Sequence, residues 1–172
     1  MTAQGYEMWS WIWVGVALAG KWDGRASDVV ATREIAAAPE AVFPIVQDLA
    51  ALRDVYPESC VDEWVLGAKT AGVDARATIR YDFSAVRRRL PAVVRKADSP
   101  RVVDIEHEGK RGFTTRFELT PSASGGTTVE MTSFLSPPPK PFQGKYFKLV
   151  QPAWIACQVQ VLDGLAAKVG AP

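Results

Sequence analysis

A strict alternation of apolar and polar side chains runs through the middle of this chain and restricts it to strands with one buried face. In residues 113–120, Phe113, Thr115, Phe117 and Leu119 share one face, and Thr114, Arg116, Glu118 and Thr120 share the other, because successive side chains of a strand point to opposite sides. That is the pattern of a half-buried antiparallel strand. It recurs in Ala77, Ile79, Tyr81 and Phe83 against Thr78, Arg80 and Asp82, and in Leu90, Ala92 and Val94. Two further copies are Val103, Ile105 and His107 against Asp104 and Glu106, and Val129, Met131 and Ser133 against Thr128 and Glu130. Five such stretches predict a sheet whose apolar face, carrying a few polar atoms, has to be covered by something else.

The cover is readable after the prolines at 137, 138, 139 and 141, which end the strand section. Phe147, Val150, Trp154, Val161, Leu165 and Val169 form one stripe of a helix over about residues 143–168. Pro152 is expected to kink this helix or divide it, because it removes a backbone donor and crowds the preceding turn. Upstream, residues 28–35 read as a first strand. Ala38, Pro39 and Glu40 then open a helix in which Val42, Phe43, Val46 and Leu49 recur at helical spacing. A second short helix is expected over residues 52–58, followed by a strand at Val61–Leu66. Turn signals fall at residues 69–72, 98–100, 109–112 and 122–126. This order gives an α+β class with one domain, predicted to begin near Ser27 after the polar connector of residues 21–25.

The 172 residues suffice for one full-sized core, and 48% hydrophobic with 23% charged residues is ordinary globular composition. A formal net charge of +1 provides no general drive toward nucleic acid. The basic residues are scattered except around Arg87, Arg88, Arg89, Arg95 and Lys96. That cluster reads as a solvated hairpin edge protected by cations; the competing reading is contact with an anionic membrane surface or an acidic ligand head group. Cys60 and Cys157 have no metal-like spacing, and His107 is the only histidine, so no metal site or cofactor is expected. Two thiols so far apart read as buried small hydrophobes rather than a disulfide.

Residues 8–20 carry no charge and as a helix would cover roughly 20 Å, against about 30 Å of bilayer hydrocarbon. A signal peptide would need a positive leading region, whereas Glu7 precedes this stretch with no Lys or Arg before it. Trp9, Trp11 and Trp13 suit a membrane interface, where the indole N–H stays wet and the ring sits at the acyl boundary. The alternative is an apolar segment packed on the domain or on a second subunit. The expected location is cytoplasmic, with membrane association through residues 8–20 under the first reading.

The segment Thr32 through Phe43, with Ala38, Pro39 and Glu40 at its turn, continuing into Val46, Gln47, Asp48 and Leu49, resembles the first strand, turn and first helix of the START-like superfamily, also called SRPBCC. Phe117 through Pro121 and Gly125 through Val129 are similar to that superfamily's last hairpin. The resemblance covers about residues 28–169. It implies a helix-grip fold, a curved antiparallel sheet wrapped around a long C-terminal helix with two short helices after the first strand. It also implies a hydrophobic small molecule or lipid held between sheet and helix, in a group that includes polyketide cyclases, lipid-transfer domains and pollen-allergen-type carriers.

Strand parity identifies which side chains face that space. Ile79, Tyr81, Phe83, Leu90, Ile105, His107, Phe117 and Met131 share the apolar phase, and Phe147, Val150 and Trp154 face them from the helix. They either line a small-molecule pocket or fill a solid core. His107 points inward between outward Glu106 and Glu108, and a buried imidazole needs a partner such as Tyr81 or Ser133. Two functional classes follow. One is a non-catalytic carrier or sensor of a hydrophobic metabolite or lipid. The other is a cyclase or dehydratase with His107 as general base and Tyr81 as acid. A chain beginning at Ser27 is expected to fold, and only the full-length chain to bind vesicles, through aromatic and aliphatic burial of roughly 1.5 to 3 kcal/mol per side chain. Circular dichroism and vesicle co-sedimentation of the two proteins check this; equal sedimentation excludes the membrane role.

Overall fold

The computed structural model describes residues 28–83, 86–136 and 139–170, so the tryptophans at 9, 11 and 13 lie outside the described residues. Seven strands form one antiparallel sheet: β1 (Val29–Ile35), β2 (Val61–Leu66), β3 (Arg76–Phe83), β4 (Val86–Asp98), β5 (Val102–His107), β6 (Phe113–Pro121) and β7 (Thr127–Phe134). Their order is β1-β7-β6-β5-β4-β3-β2. From β2 to β7 each strand pairs with the next in sequence, and β7 then pairs with β1, Val29 opposite Ser133 and Ile35 opposite Thr127. The sheet curls into a half-barrel. Its two edges, β1 and β2, are consecutive in the chain, so the two helices α1 (Pro39–Val46) and α2 (Leu49–Arg53) cross from one edge to the other.

Helix α2 starts three residues earlier than the sequence pattern suggests. The Asp48 carboxylate accepts the Ala50 N–H at 2.9 Å and caps the helix there, while Pro57 limits any extension beyond Arg53. Strand β4 is longer than the Leu90–Val94 alternation. A bulge between Val94 and Lys96 changes its phase beyond Val94; before it, Ala92 and Val94 are buried on the inward phase and Val93 is buried on the outward one. Its pairing with β5 begins only at Ala92 opposite His107, while its pairing with β3 continues to Val86 opposite Phe83. The β3–β4 hairpin therefore overhangs the end of β5, and Pro91 is tolerated where the ladder has only one strand beside it.

Residues 140–170 form the long helical cover, but not as one regular helix. Helix α3 (Lys140–Lys145) runs into a π-helical turn at Tyr146–Val150 and then into α4 (Gln151–Gly170). The Gln151 N–H donates to the Tyr146 carbonyl, five residues back. Pro152 follows immediately and has no N–H to offer Lys148, so the wider turn accommodates the division that its ring imposes. The buried face of α4 is Trp154, Cys157, Gln158, Val161, Leu162 and Leu165, a three-and-four spacing that fits a stripe lying on the sheet. This face packs on β1 and β7, with α1 alongside.

Cys60 and Cys157 are joined as a disulfide with their Cα atoms 5.9 Å apart, contrary to the expectation of separate thiols. The fold brings the start of β2 against α4, a proximity that no local pattern announces across 97 residues. Close approach continues at Gly164, where a Cβ would lie 2.6 Å from the Val55 carbonyl oxygen. Thiol titration of the denatured protein is expected to find no reactive cysteine before reduction and two after it; reactive thiols before reduction would contradict the cross-link.

Candidate functional site

The centre of the grip is filled by rings. Trp154 of α4 stacks on Tyr81 at 5.8 Å and meets Phe83 and Phe113 edge-on at 5.3 and 4.9 Å. The β6 ring that reaches it is Phe113 rather than Phe117, although Phe117 is fully buried. His107 stacks on Phe113 at 4.1 Å and lies edge-on to Tyr81 at 5.6 Å. These contacts follow from parity: residues 81, 83, 107 and 113 occupy the inward phase of neighbouring strands.

A line of polar side chains crosses the same face. His107 Nε2 lies 3.4 Å from both the Tyr81 hydroxyl and Thr115 Oγ1. Thr115 Oγ1 is 3.3 Å from Ser133 Oγ, which accepts Gln158 Nε2 at 2.9 Å. The 3.4 Å contacts are longer than the roughly 2.7–3.2 Å of well-made bonds, so ring packing holds the imidazole as much as hydrogen bonding does. Nδ1 of His107 has no partner among the described residues. Burial therefore pushes the imidazole pKa down to about 3, and burial likewise pushes the Tyr81 hydroxyl far up. Both groups are neutral at pH 7.

The open space lies beside this plug. A cleft of about 260 Å³ is bounded by Val86 and Arg88 of β4, Arg111 and Gly112 of the β5–β6 turn, Leu135 and Ser136 after β7, and Phe142, Lys145, Tyr146, Val150 and Trp154 of the helical cover. Its floor is buried, with Trp154 5% exposed, and its mouth is open, with Phe142 59% exposed. Gly112 is required there because a Cβ would meet the His107 carbonyl oxygen at 2.2 Å. Burial, with Asp28 nearby, raises the Tyr146 hydroxyl to about 12.

Of the side chains expected to line a ligand space, Val150 and Trp154 border this cleft. Ile79, Tyr81, Phe83, Leu90, Ile105, His107, Phe117 and Met131 are buried in the core beneath it. Phe147 is partly exposed and packs edge-on against Tyr146 at 5.1 Å. Tyr81 is a partner of His107 as expected, whereas Ser133 reaches it only through Thr115. The missed residues are Arg88, Arg111 and Gln158. Arg88 was legible, since it precedes Leu90 by two and shares its inward phase. Among the described residues no group of three or more His, Cys, Asp or Glu side chains converges on a metal position.

The buried imidazole fixes the sign of an acid response. As the folded pKa of about 3 is below the ordinary 6.5, the unfolded chain takes up a proton first and stability falls as pH drops through that window. Between pH 7 and pH 4 the stability advantage of the wild type over His107→Gln should shrink by on the order of 3 kcal/mol. Urea denaturation at the two pH values checks this, and a pH-independent difference would show that His107 is not held neutral.

The family described as polyketide cyclase / dehydrase and lipid transport matches residues 26–170. No curated protein matches the chain. Among solved structures, TTHA0849 from Thermus thermophilus superposes with a TM-score of 0.68 at 23% identity, covering 83% of this chain and 96% of that one. The KanY protein (ms6282) gives 0.68 at 18% identity, covering 84% and 97%. CV1439 from Chromobacterium violaceum gives 0.60 at 16% identity, covering 84% and 99%. These likenesses concern the fold, and together with the matched residues 26–170 they show that the chain belongs to the polyketide cyclase / dehydrase and lipid transport family of the START-like, or SRPBCC, superfamily.

Proposed function

We propose that residues 27–172 form a ligand-binding domain that holds a small hydrophobic molecule, a lipid or a polyketide-like metabolite, in the cleft above Trp154. The observation that carries this reading is the cleft itself, a space with a buried aromatic floor, walls of mixed apolar and cationic side chains and an open mouth. Its volume lies just below the roughly 300–1,000 Å³ typical of small-molecule sites, which favours a compact ligand. Carriage fits better than turnover. A general base works best with a pKa near the operating pH, whereas His107 is depressed to about 3, and neither His107 nor Tyr81 borders the cleft.

The second reading, a cyclase or dehydratase using His107 and Tyr81, draws on their adjacency at 3.4 Å and on the family's description. It requires the ring plug to open so that a substrate reaches the imidazole. Residues 8–20 would add a membrane surface as the place of ligand exchange. No helix among the described residues is long and apolar enough to cross a membrane.

An apolar probe such as decanol should quench or shift tryptophan emission, and Trp154→Phe should remove most of that change while preserving the far-ultraviolet spectrum. Absence of any response in the wild type, with Trp154→Ala destabilising by roughly 3 to 5 kcal/mol, would identify a solid core instead. His107→Ala that retained binding of a polyketide-like substrate but abolished its turnover would favour the enzyme.

A further inference from the structure

On the convex face of the sheet five arginines pair with carboxylates. Arg80 forks onto Asp62 at 2.7 Å through two nitrogens, and Arg116 onto Asp104 at 2.7 and 2.8 Å. Arg87 meets Asp82, Arg89 meets Glu63, and Arg95 meets Glu106 and Glu108. Arg88 lies between two of these residues in sequence but on the other side of the strand, where it borders the cleft with Arg111. Neither Arg88 nor Arg111 forms an ion pair among the described residues. The only side-chain hydrogen bond of Arg88 there is its donation to the Arg111 carbonyl oxygen at 2.9 Å. Lys145 adds a third cation to the lining, and no Asp or Glu is part of it.

Two arginines bordering one cleft are like charges that repel one another, and the repulsion is less screened where water is partly excluded, as it is at Arg88. Arg88 is half-buried, and burial, followed by the neighbouring Arg111, disfavours its charged form. An oxyanion between the two would relieve both effects. Guanidinium forks match carboxylate and phosphate oxygens geometrically, and the remaining lining offers Leu135, Val150 and Trp154 to an apolar body. We propose that the cleft selects an amphipathic anion, its carboxylate or phosphate head held by Arg88 and Arg111 at the mouth and its apolar body laid toward Trp154. This rests on the cleft being the ligand site, and it specifies the class of ligand.

Tryptophan emission of the full-length protein, titrated with decanoate, decyl phosphate and decanol, tests the selection. Decanoate or decyl phosphate should bind more tightly than decanol, and the order of the two anions identifies the preferred head group. Arg88→Gln and Arg111→Gln should each weaken anion binding by about tenfold or more and leave decanol binding unchanged, which also reports an intact fold. Arg87→Gln, on the opposite face, should leave all three unchanged. Decanol bound as tightly as both anions, or anion affinity indifferent to both arginine variants, overturns the oxyanion site while the cleft remains an apolar one. No response to any of the three compounds removes both readings.

Discussion

The contact between Trp154 and the rings of the sheet is the joint on which the rest of this molecule depends. Below it, α4 lies on β1 and β7, with Gln158 donating to Ser133, and is tied through Cys157 to Cys60 at the start of β2. At Trp154 the helix reaches across the hollow to Tyr81 and Phe83 of β3 and Phe113 of β6. One indole thereby links the helix to β3, far from the edge on which it rests, as well as to the nearer β6. Because the same ring floors the cleft, the surface that a ligand meets is also a main element of the core, and its position is set by close packing rather than by a mobile loop.

Polar groups are distributed on two sides of that joint. The inward line from Tyr81 through His107, Thr115 and Ser133 to Gln158 is neutral, which is what a dry interior tolerates. The outward face holds paired charges in water, where each pair contributes little to stability but keeps the strands soluble. Arg88 and Arg111 belong to neither arrangement, being charged, partly withdrawn from water at Arg88, and unmatched by carboxylates among the cleft's lining residues.

Strand parity carried most of the fold into the sequence. The inward phases of β3, β5, β6 and β7 are buried as the alternation requires, because a slip of one residue would expose every apolar side chain of a strand. Features that depend on three-dimensional proximity were not legible. The Cys60–Cys157 bond joins elements remote in sequence, and the start of α2 depended on one capping carboxylate at Asp48. The location of the hollow was also hidden. Parity shows which side chains point inward, but not which of them meet, and here the aromatic ones meet and close the centre. Arg88 was masked by its neighbours: three arginines in a row look like one solvated patch, although a strand sends the middle one to the opposite side.

The π turn at Tyr146–Val150 has a geometric consequence for this wall of the cleft. A regular helix advances about 100° per residue, so one residue accommodated in a widened turn offsets the azimuth of everything before it relative to α4. Helix α3, with Phe142 and Lys145, owes its heading over the mouth to that offset, and none of its residues is buried. Deleting a single residue between 146 and 150 would restore an even spiral with α3 left near its present heading, whereas winding the same residues as a regular helix would rotate α3 by about a quarter turn, carrying Phe142 and Lys145 away from Arg88 and Arg111. The opening is thus indexed by how one turn is wound, and a change of winding there would retune the entrance without touching the sheet.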